Sequence, residues 1–275
     1  MRILRITVIG LFFFIAGFSI RIVKNWFSYS YRSSQKLCLG KIIETNSLDE
    51  VKNHIDKEHM LVVFDMDNTL VTPNVMVGSD PWFNYMVEQQ RKEAGCSVAE
   101  AADIVLPLFR EIHKRISYKL VEETAPDLIE HLRSVHIPVI ILTNRGDEQK
   151  ENVLDKISEA GVPVPLTQLG EKELHAIFDV PMLYSHGIIF CGRNDKGSML
   201  FHVLETVNYK PTKIIFVDDK YHYLASVERA CMERKIPFVG LRYGRCDELV
   251  SQFDPNVADQ ELEQLLCINA KAALA

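Results

Sequence analysis

The sequence predicts an α/β fold: a doubly wound, mostly parallel sheet with helices on both faces and a small helical cap inserted after the first strand. Three observations point there. Short apolar runs such as Leu61–Asp65 (LVVFD) and Lys213–Asp219 (KIIFVDD) lack polar alternation, as strands covered on both faces do. These runs alternate with helical stretches, the pattern of parallel strands joined by crossovers. About sixty residues separate Asp67 from the helix expected at Ala125, which is too many for a plain connection.

The elements follow in order. Ser47 is positioned to cap a short helix reaching His59. Leu61–Asp65 is the first strand. Asp80 followed by Pro81 reads as a cap and first-turn proline for a helix to about Ala94. Ser97 with Glu100 is a capping box for a second helix, to about Arg115. A third helix spans Ala125 to Ser134. Ile137–Thr143 (IPVIILT) is the second buried strand, and Asp147–Ala160 a helix closed by Gly161. Gly187–Cys191 is a third strand, preceded by a candidate hairpin. Ser198–Val207 is helical, Lys213–Asp219 the fourth strand, Tyr221–Arg234 a helix and Pro237–Tyr243 the fifth strand. The tail from Asp259 is expected to be helical and peripheral.

The chain has 275 residues, 47% of them hydrophobic and 25% charged, which excludes bulk disorder and collagen-like repetition. That length suits one large domain, or one domain with an insert. The net charge of −6 is unevenly placed. Seven Lys or Arg and no acid precede Glu44, so the remainder sets 24 basic residues against 37 acidic ones. So acidic a body is a poor partner for nucleic-acid backbones, and no nucleic-acid binding is expected.

Residues 6–20 (ITVIGLFFFIAGFSI) are uncharged, with Arg2 and Arg5 before them and Arg21 and Lys24 after. The arrangement suits a signal peptide or a membrane anchor over residues 1–23. A helix of fifteen residues rises roughly 22 Å, short of the ~30 Å hydrocarbon core unless the flanking arginines snorkel. The body is therefore expected to be exported, periplasmic or secreted, or else membrane-anchored through residues 6–20. Which side it faces stays open. Residues 24–46 read as a linker. The six cysteines show no C-x-x-C spacing, so no zinc motif is expected.

In open α/β sheets, ligands sit at the carboxyl ends of the strands. Three strands end there in chemistry: Asp65 with Asp67, Thr143 with Asn144, and Asp218 with Asp219. Four converging carboxylates repel one another unless a cation neutralises them. Hard oxygen ligands that can share a shell with phosphate suit Mg²⁺. A carboxylate can act as a covalent nucleophile toward phosphorus, and the acid two residues on can serve as general acid and base. Lys196, opening a helix, fits the need to offset phosphoryl charge.

FDMDNTLV (Phe64–Val71) resembles motif one, D-x-D-x-T-L, of the haloacid-dehalogenase-like superfamily. ILTNRG resembles its second motif, Lys196-Gly197 its third, and FVDDK (Phe216–Lys220) its fourth, in the same order. The resemblance covers about residues 60–245. The segment GSDPWF together with VDDK is similar to a bacterial branch of that superfamily. The resemblance implies a Rossmann-type sheet. It implies Asp65 as nucleophile, forming an aspartyl-phosphate, and Asp67 as general acid/base. Thr143, the Asn144 amide and Lys196 would hold phosphate. Asp65, the Asp67 carbonyl and Asp218 would bind Mg²⁺, with Asp219 in support. Dehalogenases of that superfamily lack the second acid, so a phosphatase or phosphomutase is implied, acting on a small phosphomonoester or a phosphorylated protein side chain.

The expected layout is a catalytic domain over 47–250 with a cap insertion over about 74–119, then a helical tail over 251–275. The expected function is Mg²⁺-dependent phosphomonoester hydrolysis. The alternatives are a phosphotransferase or phosphomutase, and a membrane-tethered interaction protein without turnover.

Overall fold

The computed structural model describes residues 40–56, 58–170 and 173–272. The apolar segment 6–20 and the first part of the expected linker lie outside them. Among the described residues, no helix is long and apolar enough to cross a membrane.

The centre is an eight-stranded sheet ordered β1-β10-β9-β2-β5-β8-β7-β6. Its strands are β1 (Gly40–Thr45), β2 (Leu61–Phe64), β5 (Val139–Thr143), β6 (Leu174–Ile177), β7 (Pro181–Ser185), β8 (Ile188–Phe190), β9 (Ile214–Asp218) and β10 (Phe238–Tyr243). The first six in spatial order run parallel, and β7 and β6 close one edge antiparallel. The expected α/β class is therefore observed. Every residue of β2, β5 and β9 is buried, because both faces are covered.

The expected linker is not linker to its end. Gly40–Thr45 pairs with β10 as the edge strand, so the strand Leu61–Phe64 is second in the chain. None of its residues is fully buried, as befits an edge strand open to solvent, and so it carries no long apolar run to announce it. The hairpin before β8 is present. His186 and Gly187 both take positive φ (55° and 78°), the turn whose twist matches its flanking strands.

Helices cover the two faces. One cluster gathers Leu128, Ile129 and Leu132 of α3 (Ala125–Ser134) and Val153 and Ile157 of α4 (Lys150–Glu159) under the sheet. The other gathers Leu200 and Val203 of α5 (Lys196–Thr206) and Leu224 and Val227 of α6 (Tyr221–Glu233). A short helix, α7 (Asp247–Ser251), and a long one, α8 (Pro255–Ala272), finish the described chain.

The insertion expected after the motif-one strand consists of α1 (Asp80–Ala94) and α2 (Val98–His113). Its base is closed by β3 (Val71–Pro73) pairing antiparallel with β4 (Tyr118–Leu120). The capping box of Ser97 and Glu100 forms as expected. At α1 the cap moves one residue earlier. Ser79 stands in extended backbone and its hydroxyl accepts from the Trp82 amide at 3.3 Å. Asp80 is thereby freed for an ion pair with Lys220, Oδ2 to Nζ 3.0 Å.

Candidate active site

β2 and β9 lie side by side, with Phe64 opposite Val217. Asp65 and Asp218 therefore leave the sheet together at its carboxyl edge, where the Asp65 amide donates to the Val217 carbonyl at 2.8 Å. Single oxygens of Asp65, Asp218 and Asp219 lie within 4.8 Å of one another. All three residues are buried.

Lys196 enters from the other side of the sequence. It is the first residue of α5, whose start is capped by Asp195 accepting from the Ser198 amide. Its side chain is 1% exposed, and Nζ lies 2.6 Å from Asp65 Oδ1 and 2.8 Å from Asp218 Oδ2. The ammonium also lies 4.3 Å from the Tyr223 ring centroid, a cation–π contact. Gly197 makes this entry possible: a Cβ there would stand 2.6 Å from the Ser226 carbonyl oxygen on α6.

The electrostatics follow from burial. Asp65 is pushed well above the ordinary carboxylate range by burial, against the pull of Lys196 and with repulsion from Asp218, Asp219 and Asp67 added. Asp218 moves up for the same first reason, opposed by Lys196. Burial lifts Asp219 to about 6, with Lys220 opposing. Burial would lower Lys196, but its two carboxylates outweigh that and hold it firmly protonated. Two ammoniums, Lys196 and Lys220, which lies 2.9 Å from Asp219, stand against the carboxylates of Asp65, Asp218, Asp219 and Asp80, so the site of hard oxygen donors keeps net negative charge. That donor set fits a divalent cation of the Mg²⁺ kind.

Asp67 sits apart from this cluster in its bonding. The turn after Asp65 brings Asn68 to a positive φ of 59° and sends the Thr69 to Val71 amides back to the Met66 carbonyl. The Asp67 carboxylate then meets Arg145: Nε donates to Oδ2 at 3.0 Å and Nη2 to Oδ1 at 2.7 Å. Burial alone would raise Asp67, but the guanidinium outweighs it and the carboxyl is held below its usual value.

Thr143 ends β5, buried, with its Oγ1 accepting from the Arg145 amide at 3.2 Å. Asn144 is exposed and its Nδ2 donates to Tyr223 Oη at 2.5 Å. The structure thus brings Asp65, Lys196, Asp218 and Asp219 into direct contact range, places Thr143 and Asn144 on the neighbouring strand end, and ties Asp67 to Arg145. Three residues of this surround were not singled out by the sequence. Arg145 stood unremarked inside ILTNRG. Tyr118 accepts from Arg145 Nη2 at 2.8 Å and shares its hydroxyl with His113 Nδ1. Tyr223 lies over Lys196. The two aromatic residues carry no local pattern that announces a site. Trp82, inside GSDPWF, is fully buried core, and His222, two residues past VDDK, is exposed.

A cavity of about 390 Å³ lies between α2 and the loops that follow β5 and β8, lined among others by Leu106, Arg110, Asn144, Glu148, Val180 and Arg193. Two ion pairs cross between these parts, Arg110 to Glu148 at 2.7 Å and Arg193 to Asp103 at 2.5 Å.

The fold and site thus define an α/β protein with a buried acidic cluster and a lysine at the carboxyl edge of its mostly parallel sheet, the edge where open α/β sheets take their ligands. The family is shown by the sequence: a model described as "Protein of unknown function (DUF2608)" matches residues 44–270, and the chain belongs to that family. Relatives include a "Putative outer membrane protein" of Chlamydia pneumoniae, 24% identical over 225 residues that cover 80% of this chain and 84% of the relative. Another "Putative outer membrane protein", of Chlamydia trachomatis serovar D, is 22% identical and covers 85% of this chain and 89% of the relative. Among solved structures, a haloacid dehalogenase-like family hydrolase from Streptococcus pneumoniae aligns with a TM-score of 0.41 at 15% identity, over 70% of this chain and 97% of that one.

Proposed function

We propose that this chain is a Mg²⁺-dependent phosphomonoester hydrolase that works through a phospho-aspartyl intermediate on Asp65. The observation that carries the reading is the position of Lys196, 2.6 Å from Asp65 and 2.8 Å from Asp218 at the sheet edge. A nucleophilic carboxylate, a buried fixed cation and two further acids are the parts phosphoryl transfer needs. The order of the four sequence motifs agrees with it.

Asp65, Asp218 and Asp219, with the Asp67 carbonyl, would hold the metal. Bound Mg²⁺ offsets charge on the phosphoryl group and orients it. The chain's own residues do the rest. Asp65 attacks phosphorus. Lys196 favours the ionised form of Asp65 against the effect of burial, and draws phosphoryl oxygens toward it. Thr143 and the Asn144 amide contribute donors to those oxygens. Asp67 serves as general acid/base. The cavity beneath α2 receives the rest of a small phosphorylated substrate, and α1 and α2 act as a cap over it. The relatives' printed names and the uncharged segment 6–20 support an exported or membrane-anchored protein of the bacterial envelope.

Release of phosphate from p-nitrophenyl phosphate tests the reading. Activity is expected with Mg²⁺, and is expected to vanish with EDTA and in Asp65→Asn. Activity that survives both treatments would rule this mechanism out.

A further inference from the structure

Tyr223 reaches over the site from α6 and touches both halves of it. Its ring centroid lies 4.3 Å from Lys196 Nζ. Its Oη accepts from Asn144 Nδ2 at 2.5 Å. One side chain thus spans the ammonium beside Asp65 and the turn that follows Thr143, the two places from which donors to a phosphoryl group are expected.

The packing of α5 on α6 fixes that position. Ser226 Oγ accepts from the Gly197 amide at 3.0 Å and donates to Asp195 Oδ2. Ser226 lies one turn after Tyr223 on α6, and Asp195 and Gly197 flank Lys196 at the start of α5. One clamp therefore holds the lysine and the tyrosine in register.

A phenolic hydroxyl both accepts and donates. Asn144 uses the accepting side. Among the described residues, no acceptor takes the Tyr223 proton. Burial first, with Asp218 and Asp65 adding to it, pushes this phenol up to about 12 against the pull of Lys196. It is a neutral donor at neutral pH, half-buried at the rim of the acidic cluster.

We propose that Tyr223 is a catalytic residue whose hydroxyl donates a hydrogen bond to the phosphoryl oxygen turned toward the end of β5. The inference rests on the phosphohydrolase reading and adds a residue to its site. Charge is spread over the equatorial oxygens as the phosphoryl group passes to Asp65. A donor already fixed in place stabilises that charge without reorganising at the moment of transfer. Asn144 strengthens it, because a hydroxyl that accepts one hydrogen bond donates the next more strongly. No proton is transferred.

The test compares Tyr223→Phe and Asn144→Ala in the full-length chain with Mg²⁺. The readouts are kcat and KM for p-nitrophenyl phosphate, and inhibition by orthovanadate, which takes the trigonal-bipyramidal shape of phosphorus in transfer. Tyr223→Phe keeps the ring over Lys196 and loses only the hydroxyl. It is expected to lower kcat about a hundredfold, with KM little changed, and to weaken vanadate inhibition about tenfold. Asn144→Ala keeps the hydroxyl and removes the group that polarises it, so kcat is expected to fall about fivefold.

Vanadate inhibition unchanged in Tyr223→Phe would overturn the inference, with or without a fall in kcat. Equal losses in the two variants would also overturn it, because Tyr223 would then act only by holding Asn144. If Tyr223→Phe does not fold, crystals of the wild-type chain with Mg²⁺ and orthovanadate decide. Oη is expected about 2.7 Å from a vanadate oxygen, and a separation above about 3.5 Å would overturn the inference. Metal-dependent turnover that Tyr223→Phe leaves intact would overturn this inference alone. Absence of metal-dependent turnover of every ester would overturn the phosphohydrolase reading with it.

Discussion

Lys196 Nζ lies 2.6 Å from Asp65 Oδ1, joining residues 131 apart in the chain and pinning the start of α5 to the end of β2. Both side chains are buried, and Asp218 completes the group from β9. Removing one member of a buried ionic group costs more than the pair contributes, because the partners stay behind unpaired. Lys196→Met is therefore expected to lower unfolding stability by about 3–5 kcal/mol in urea titrations without metal. Mg²⁺ is expected to recover part of that loss. A change under about 1 kcal/mol would show that the cluster is relieved by some other means.

The same cluster sets a dependence on pH. Asp219 stands at about 6, above its usual 3.8, raised by burial. Between those values the folded chain binds more protons than the unfolded one, so stability contributed by this group falls as pH rises through the window. In EDTA, Asp219→Asn is expected to be stabilised relative to wild type at pH 7 by on the order of 2 kcal/mol, and not at pH 4. Thermal melts at the two pH values check this. An equal effect at both would show that Asp219 does not titrate in that window.

Gly197 is a test of how Lys196 reaches its partners. A Cβ there meets the Ser226 carbonyl oxygen at 2.6 Å and its carbonyl carbon at 3.0 Å, backbone that cannot swing aside. Gly197→Ala should separate α5 from α6 and cost about 1–3 kcal/mol, with phosphate release falling as Lys196 is displaced. Unchanged stability and activity would mean that the helices tolerate the shift.

The part of the fold that was legible came from burial on both faces. β2, β5 and β9 wrote themselves as apolar runs ending in Asp or Thr, and the motif spacing supplied Lys196. What escaped was written in weaker terms. Gly40–Thr45 is half exposed and has only two adjacent isoleucines, so its pairing with β10 leaves no period to read. The cap of α1 went to Ser79 rather than Asp80, because Lys220, more than a hundred residues on, claims the Asp80 carboxylate. Arg145 was visible beside Thr143 and Asn144, but its meaning depends on Asp67 and Tyr118, which only the tertiary fold brings to it.

Glu122 shows a further tie that no local pattern announces. Its carboxylate accepts from the Leu48 amide at 2.9 Å, Tyr243 Oη at 2.7 Å, Ser47 Oγ at 3.2 Å and Thr124 Oγ1 at 3.1 Å. It joins the segment after β1, the end of β10 and the chain leaving β4. Glu122→Ala leaves the buried amide and hydroxyl unpaired and is expected to cost about 3 kcal/mol, read from the denaturation midpoint. A loss under about 0.5 kcal/mol would mean that water replaces the carboxylate freely.

The covalent step on Asp65 is the centre of the account. It is reached most directly by acid-quenching the Asp67→Asn chain during turnover of a phosphoryl-labelled aryl phosphate with Mg²⁺, then mapping the label by peptide mass spectrometry. Slowed transfer to water should let the label accumulate on the peptide carrying Asp65, and Asp65→Asn should show none. Release of phosphate with no label on that peptide, or with label on another residue, would contradict the mechanism.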